Sequence, residues 1–435
     1  MAPSGYEYTI VKSPQAVSYS NFTGQIPFIV KTPSNKWIRP RDCYLAVKVR
    51  VDEFIGGNHT ALATAGNCTP YISKNPVSLL FSTGKVLVND KLISNMNELP
   101  ATNTLFKSVF DTRSMQQTID STCPIIPQSL AVTRANYATA NQNVLNTFNE
   151  TTLTWALPFS LFQSNDWIPP HTKVEMDFNV NTNWYNEIMS CVGVYPAGGV
   201  VAMTGPVNGT ANSIGIGIVD LSLWCCMVTE APPVNIVKEI RLKQYFSQIH
   251  TINAQSESFT LTLPNGGRNV THLLACFLQT GRGGTVKKSS NDFSSGYTNA
   301  NPEVKITTDA VTQLKMIRFQ LDKVYPNPDY DLNFDTTIDT CRDVSRMFYD
   351  FINNSDSKFD RSGNVLSISE YVVEPVLCYR VNTHATTYNE TLQVYINLGA
   401  TYAGGSSQLL VVALYDETLR LAFDSEKIVN VELVS

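Results

Sequence analysis

Charge is scarce in this sequence: Asp, Glu, Lys and Arg make up 16% of its 435 residues, against about 25% in an average globular protein. Neither sign dominates, because 32 Lys and Arg face 37 Asp and Glu for a formal net charge of −5. A protein that coats nucleic acid draws its affinity from clustered Lys and Arg that neutralise phosphates, and no such cluster is present. Long apolar runs are lacking too. A run such as Leu409 to Tyr415 is strand length, well short of the roughly 18 residues a membrane-spanning helix needs. Met1 to Tyr8 contain neither a basic stretch nor an apolar one, so no signal peptide and intracellular synthesis are expected. The nine cysteines include no C-x-x-C pair. Cys43, Cys276 and Cys378 lie inside apolar runs and read as reduced core thiols, while adjacent Cys225 and Cys226 alternate faces of a strand.

Catalytic signatures are equally missing. There is no phosphate-binding G-x-x-x-x-G-K-[ST] loop, and Gly281 to Gly284 does not open a helix. Gly215-Ile216-Gly217 lacks the third glycine of a dinucleotide site, and no G-x-S-x-G nucleophile elbow occurs. Metal enzymes built on β-sandwiches place a second His or a carboxylate two residues from the first. His59, His171, His250, His272 and His384 each lack such a partner. The acidic stretch Asp329 to Asp335 and the segment Asp356 to Asp360 match no calcium-loop consensus and read as solvated surface. The basic residues Lys31, Lys36, Arg39 and Arg41 around Trp37 read the same way. No enzyme activity, metal or cofactor is expected.

What is abundant is β-forming and turn-forming residues. Hydrophobic residues reach 43%, enough to build large cores, and Ser, Thr and Asn supply about a quarter of the chain. Period-two alternation recurs. In Thr172 to Val180 the side chains of Val174, Met176, Phe178 and Val180 share one face, and Lys173, Glu175, Asp177 and Asn179 the other. Tyr44 to Val51, Ser258 to Leu263 and Leu392 to Leu398 alternate similarly, whereas Leu273 to Leu278 and Leu409 to Tyr415 read as strands buried on both faces. Gly84 to Ile93 reads as a hairpin turning at Asn89-Asp90. Helical periodicity is confined to Thr340 to Asn353 and, more weakly, Glu98 to Asp111. Many strands with one or two inserted helices define an all-β chain. A break at Ala231-Pro232-Pro233-Val234 leaves two halves, each of a size for one sandwich or barrel. Residues 56–76, 194–217 and 281–302 read as long loops, which are often partner-facing.

Several of these segments, in order and spacing, resemble the double jelly-roll major capsid proteins of double-stranded DNA viruses, in the branch of virophages, Polinton-like elements and large eukaryotic DNA viruses. They are the Leu79-Leu80-Phe81 to Ser94 hairpin; Leu157 to Phe162 with Trp167-Ile168-Pro169-Pro170; Val237 to Ile240; the Arg342 to Asn353 helix with Asp360 to Gly363 and Ile368 to Tyr371; and the closing Leu414 to Leu421.

The resemblance implies two consecutive eight-stranded jelly rolls, over residues 26–232 and 233–435, after an N-terminal arm of residues 1–25. It implies pseudo-hexagonal homotrimers that tile an icosahedral shell, with neighbouring capsomers and minor capsid or penton proteins as partners, and it leaves an internal membrane open. The virion is the implied location, with synthesis in the host cell. In the arm, alternating Tyr6, Tyr8 and Ile10 are the candidate subunit contacts, a disordered terminus being the other reading. With no basic arm, sequence-specific nucleic-acid binding is not expected, and the genome is expected to be retained by other means. The competing readings are a carbohydrate-binding β-sandwich (adhesin or lectin) and a sandwich-fold hydrolase with an unrecognised carboxylate pair.

Overall fold

The computed structural model describes residues 5–15, 17, 22–55, 58–61, 69–110, 150–192, 203–204, 213–229, 237–262, 270–279, 290, 293, 297–301, 305–308, 314–321, 342–355, 366, 371, 375–381, 391–398, 404–405, 407–424 and 427–434. The first half contains β1 (Tyr6–Lys12), β2 (Gln25–Lys31), β3 (Lys36–Ile38), β4 (Tyr44–Ile55), β5 (Asn58–Ala61), β6 (Thr69–Ile72), β7 (Phe81–Val88) and β8 (Lys91–Met96). It continues through α1 (Leu99–Phe110), β9 (Glu150–Ala156), α2 (Ser160–Gln163), β10 (Lys173–Val180), α3 (Trp184–Ile188), β11 (Met189–Val192), β12 (Met203–Thr204) and β13 (Ser213–Thr229). The second half runs β14 (Val237–Ile252), β15 (Ser256–Thr262), β16 (Val270–Gln279), β17 (Tyr297–Asn301), β18 (Lys305–Thr308) and β19 (Leu314–Leu321). After these come α4 (Arg342–Asn354), β20 (Val376–Arg380), β21 (Thr391–Leu398), β22 (Ser407–Asp424) and β23 (Lys427–Val434).

The pairing order defines the topology. In the first half, β1-β13-β4-β9 form one sheet, with β3, β5 and β12 added at its margins, and β2-β10-β7-β8 form the other. Counting the eight main strands along the chain, the sheets read first–eighth–third–sixth and second–seventh–fourth–fifth. That weave is a jelly roll. The second half repeats it: β14-β22-β16-β20 face β15-β21-β19. A counterpart of β8 is not among the described residues. β23 adds to β22 beyond the weave. These main-strand pairings are antiparallel.

Local chemistry explains the elements. β10 keeps the expected inward set Val174, Met176 and Phe178 buried. Asp177, expected to face solvent, is also buried, because Lys85 on the neighbouring strand reaches it at 3.0 Å and neutralises it. The β7–β8 turn falls at Asn89 and Asp90, whose φ values of 45° and 67° are a left-handed pair that a tight hairpin requires. Pro27 sits on β2, which among the described residues pairs only with β10, so its missing N–H costs no ladder bond in that sheet. The expected loop 56–76 carries two short strands: β5 pairs with β4, and β6 with β11.

The first core is aromatic. Phe81, Trp155, Phe178 and Phe159 are fully buried, with Phe81 and Phe178 centroids 4.6 Å apart and Phe159 5.7 Å from Phe178. Gly84 sits opposite Phe178; a Cβ there would lie 2.7 Å from the Phe159 ring and 2.9 Å from Leu99. A buried amide network closes this end: Asn103 Oδ1 accepts from Asn75 Nδ2 at 2.7 Å and from Trp155 Nε1 at 3.1 Å.

The two rolls share one continuous core. α1 closes the side of the first roll and presses its far face on the outer surface of the second roll's β14-β22-β16-β20 sheet. Phe106 meets Tyr245 edge-on at 5.1 Å, and Phe110 meets His272 at 6.3 Å under the Lys243 ammonium. This explains the two-sided burial of β16 and the Leu409–Leu414 part of β22, whose outer face is covered by the first roll rather than by water. Gln244 Nε2 donates to Ile93 O at 2.6 Å and Lys91 Nζ to Val431 O at 2.9 Å. A further tie comes from the expected loop 281–302: Ser290 donates its N–H to buried Glu187 at 2.7 Å, and its hydroxyl donates to the same oxygen. Phe293 packs under Lys74, whose ammonium lies 4.7 Å from the ring.

Candidate subunit interface

The sequence-nominated residues Tyr6, Tyr8 and Ile10 stand on β1. That strand pairs with β13 along its whole length, from Tyr6 opposite Val228 to Lys12 opposite Ser222. Residues 6–12 of the expected arm are therefore the first strand of the first roll. Period-two geometry turns Thr9 and Val11 toward the sandwich and the nominated three outward. They are 49%, 47% and 48% exposed, an uncommon condition for large apolar side chains.

Two residues the sequence reading missed complete the patch. Pairing brings Ile10 opposite Trp224, Trp224 opposite Tyr44 and Tyr44 opposite Ala156, so one row crosses four strands. Tyr44 stacks on Trp224 with centroids 5.8 Å apart and planes 10° from parallel, and Tyr8 leans edge-on against Tyr44 at 5.8 Å. Their signal in the sequence was only partial. Alternation in Tyr44 to Val51 sets Tyr44 opposite to Leu45, but nothing local says that this face meets β1, nearly forty residues earlier, through β13, far downstream.

Charge at the patch is confined to its rim and already paired. Lys12 binds Asp220, Lys36 binds Glu7, and Arg39 Nε lies 3.1 Å from Asp42. Arg39 also donates to the Tyr6 hydroxyl at 3.1 Å and places its guanidinium carbon 5.5 Å from that ring. Arg41 donates to Asn165 at 2.8 Å. The basic group around Trp37 is thus largely engaged in local pairs, as a solvated surface would have it. Partial burial, then the neighbouring Cys226 and Asp42, pushes the Tyr8 phenol up to about 12. It therefore stays neutral throughout the physiological range. Apolar at the centre and polar at the rim, this surface has the anatomy of a protein–protein contact.

Elsewhere the chemistry is structural. Cys43, Cys225, Cys226, Cys276 and Cys378 are buried thiols that form no disulfide. The Cys43 thiol beside Cys225, together with burial, raises Cys225 well above the usual thiol range. Among the described residues no group of three or more His, Cys, Asp or Glu is placed to hold a metal ion. Among them also, no helix is long and apolar enough to cross a membrane. The acidic stretches 329–335 and 356–360 lie outside the described residues, as does the break at 231–234.

Two jelly rolls of one weave, joined in a single chain and packed side by side, are the fold of the double jelly-roll viral major capsid proteins. Solved structures agree over nearly the whole chain. The Sputnik virophage structure determined by cryo-EM matches with a TM-score of 0.60 at 13% identity, covering 100% of this chain and 89% of that one. The mavirus major capsid protein matches with a TM-score of 0.53 at 9% identity, covering 98% and 89%. The PBCV-1 virus capsid matches with a TM-score of 0.53 at 10% identity, covering 99% and 96%. No protein-family model matches the sequence, and no curated protein matches it.

Proposed function

We propose that this chain is a major capsid protein, assembling as pseudo-hexagonal homotrimers that tile an icosahedral virus shell. The observation that carries the proposal is the repetition of one jelly-roll weave within one chain, with an apolar face left open on the first roll. Three such chains present six similar rolls around one axis, the arrangement hexagonal tiling needs. Unlike faces meet at each junction, so the contact is heterologous and closes at three. In this reading the chain passes from the first roll to the second between β13 and β14, as the bounds 26–232 and 233–435 propose, but with β1 added to the first roll from the arm of residues 1–25. In this reading Tyr6, Tyr8 and Ile10 are subunit contacts and the protein is a wall component of the virion rather than an enzyme. Its partners are neighbouring capsomers and minor capsid or penton proteins.

Light scattering of the purified chain tests the proposal. The expected result is a stable species near three times 48.2 kDa, or shell-sized particles, with hexagonal outlines in negative stain. A monomer at all accessible concentrations overturns it, and a monomer with affinity for glycans favours the lectin reading instead.

A further inference from the structure

The ladder between β4 and β13 ends on a pair of thiols. Its last pair is Tyr44 opposite Trp224, and one further step of the same register sets Cys43 opposite Cys225. Cys43 immediately precedes β4 with extended backbone (φ −82°, ψ 140°), so the strand geometry continues through it. Both residues alternate inward, Cys43 in step with Leu45 and Cys225 in step with Leu223, opposite inward-facing Thr9. Each is 1% exposed. The two thiols hydrogen-bond each other, and Cys43 Sγ also donates to Arg39 O at 3.4 Å.

Residues opposite each other on antiparallel strands have Cα atoms about 4.5–5.5 Å apart. That lies inside the span of about 4.4–6.8 Å that a disulfide bridges. The other described thiols lack this relation. Cys226 follows Cys225 directly, so it faces the other side of the strand, opposite Tyr8. Cys276 stands opposite Val376 and Cys378 opposite Leu274, two positions out of register. Such diagonal neighbours are about 7–8 Å apart, too far to bridge without backbone movement.

We infer that Cys43 and Cys225 are a latent cross-strand disulfide, reduced as the chain is made and closed later by a peroxide. In the first step one sulfur attacks hydrogen peroxide, the O–O bond breaks, and a sulfenic acid and water form. The second sulfur then displaces the sulfenic hydroxyl, which leaves as another water as the S–S bond forms. Two thiols are oxidised, one peroxide is reduced, and the thiol protons depart in the two waters. Burial slows the first step, because the raised Cys225 thiol offers little thiolate. Access is nonetheless short, since the pair adjoins the partly exposed Tyr44 and Trp224 and the oxidant is a small neutral molecule. The closed loop spans the first roll from the start of β4 into β13, and long loops gain most from closure. The bond also fastens the two strands directly beside the Tyr44–Trp224 stack. Its regulatory sense rests on the capsid reading: a wall subunit is fastened after it leaves the reducing cell.

The full chain, purified reduced and then exposed to hydrogen peroxide, tests it. Non-reducing digestion and mass spectrometry are expected to recover the Cys43 and Cys225 peptides joined, in an intact chain lighter by two hydrogen atoms. The melting temperature should rise by on the order of 5 °C and fall back on addition of dithiothreitol. Cys43→Ala should abolish both effects and Cys226→Ala should preserve both. Melting of each reduced variant shows that it folds, and Cys225→Ala replaces Cys43→Ala where that variant does not. A native chain whose two thiols survive peroxide, oxidise singly to sulfinic acid or join other partners overturns the latent disulfide. A bridge that leaves the melting temperature unmoved overturns its fastening role. These readouts do not depend on assembly, so a monomer that closes the bridge overturns the trimeric reading alone.

Discussion

Replacing Glu187 tests whether the second roll's long connection is truly fastened to the first roll. The carboxylate is 3% exposed and accepts from Asn181 Nδ2 at 2.8 Å, from the Ser290 N–H at 2.7 Å and from the Ser290 hydroxyl. In Glu187→Ala the hydroxyl rotates to a new partner, but the Ser290 N–H and one amide hydrogen of Asn181 lose theirs. Each orphaned group costs about 1–3 kcal/mol. Ser290 is only partly buried and Asn181 keeps a 3.2 Å bond to Leu79 O, so both lie near the low end, and the total is about 2–4 kcal/mol. A unit of about 150–250 residues loses about 2–4 °C of Tm per kcal/mol, so a fall of roughly 4–16 °C is expected by differential scanning fluorimetry. Glu187→Gln keeps one acceptor and should cost about half as much. Hydrogen exchange at the Ser290 amide should quicken by on the order of tenfold in the Ala variant, reporting local opening. An unchanged Tm together with unchanged exchange at Ser290 would refute the reasoning, because it would mean that water replaces the carboxylate without loss.

Other positions give independent checks. Gly84→Ala drives a methyl into Phe159 and Leu99 and should destabilise by about 1–3 kcal/mol in urea unfolding; a neutral result would mean that the aromatic core yields freely. Asn103→Leu leaves Trp155 Nε1 and Asn75 Nδ2 without their shared acceptor, for an expected loss of about 2–4 kcal/mol, and a Trp155 fluorescence signal unmoved by the change would count against the network. At Glu257, burial alone raises the carboxyl, but hydrogen bonds from His250 at 2.9 Å and the Asn253 N–H at 2.7 Å outweigh it, and the net value is lowered. A lowered folded value stabilises above the unfolded carboxylate range and is lost as pH falls through the folded value. Glu257→Gln should therefore cost about 1–2 kcal/mol at pH 7, with the gap to wild type closing below about pH 4; a gap constant across that range contradicts the assignment.

Much of the second roll was legible because its strands carry their own patterns. Thr391–Leu398 alternates buried and partly exposed residues as its sequence does, and Arg342–Asn354 is helical where the periodicity put it. The candidate interface was half legible. Tyr6, Tyr8 and Ile10 share a face by spacing alone, yet their partners Tyr44 and Trp224 arrive through pairings that no local window contains. Asp177 is the instructive miss, since its burial depends on Lys85 ninety-two residues earlier in the chain.

The sequence by itself determined the class of structure: few charges, recurring period-two runs and two isolated helices left little but stacked antiparallel sheets. It also determined which side of each strand is apolar, because side-chain direction follows spacing. Only the tertiary structure decided which apolar faces are covered. The Leu409–Leu414 part of β22 and the Tyr6–Ile10 part of β1 both offer apolar outer faces, and one is buried under α1 while the other is open. The difference lies in packing that no local window contains: α1 reaches the second roll's sheet through Phe106 and Phe110, while Tyr6, Tyr8 and Ile10 remain about half exposed.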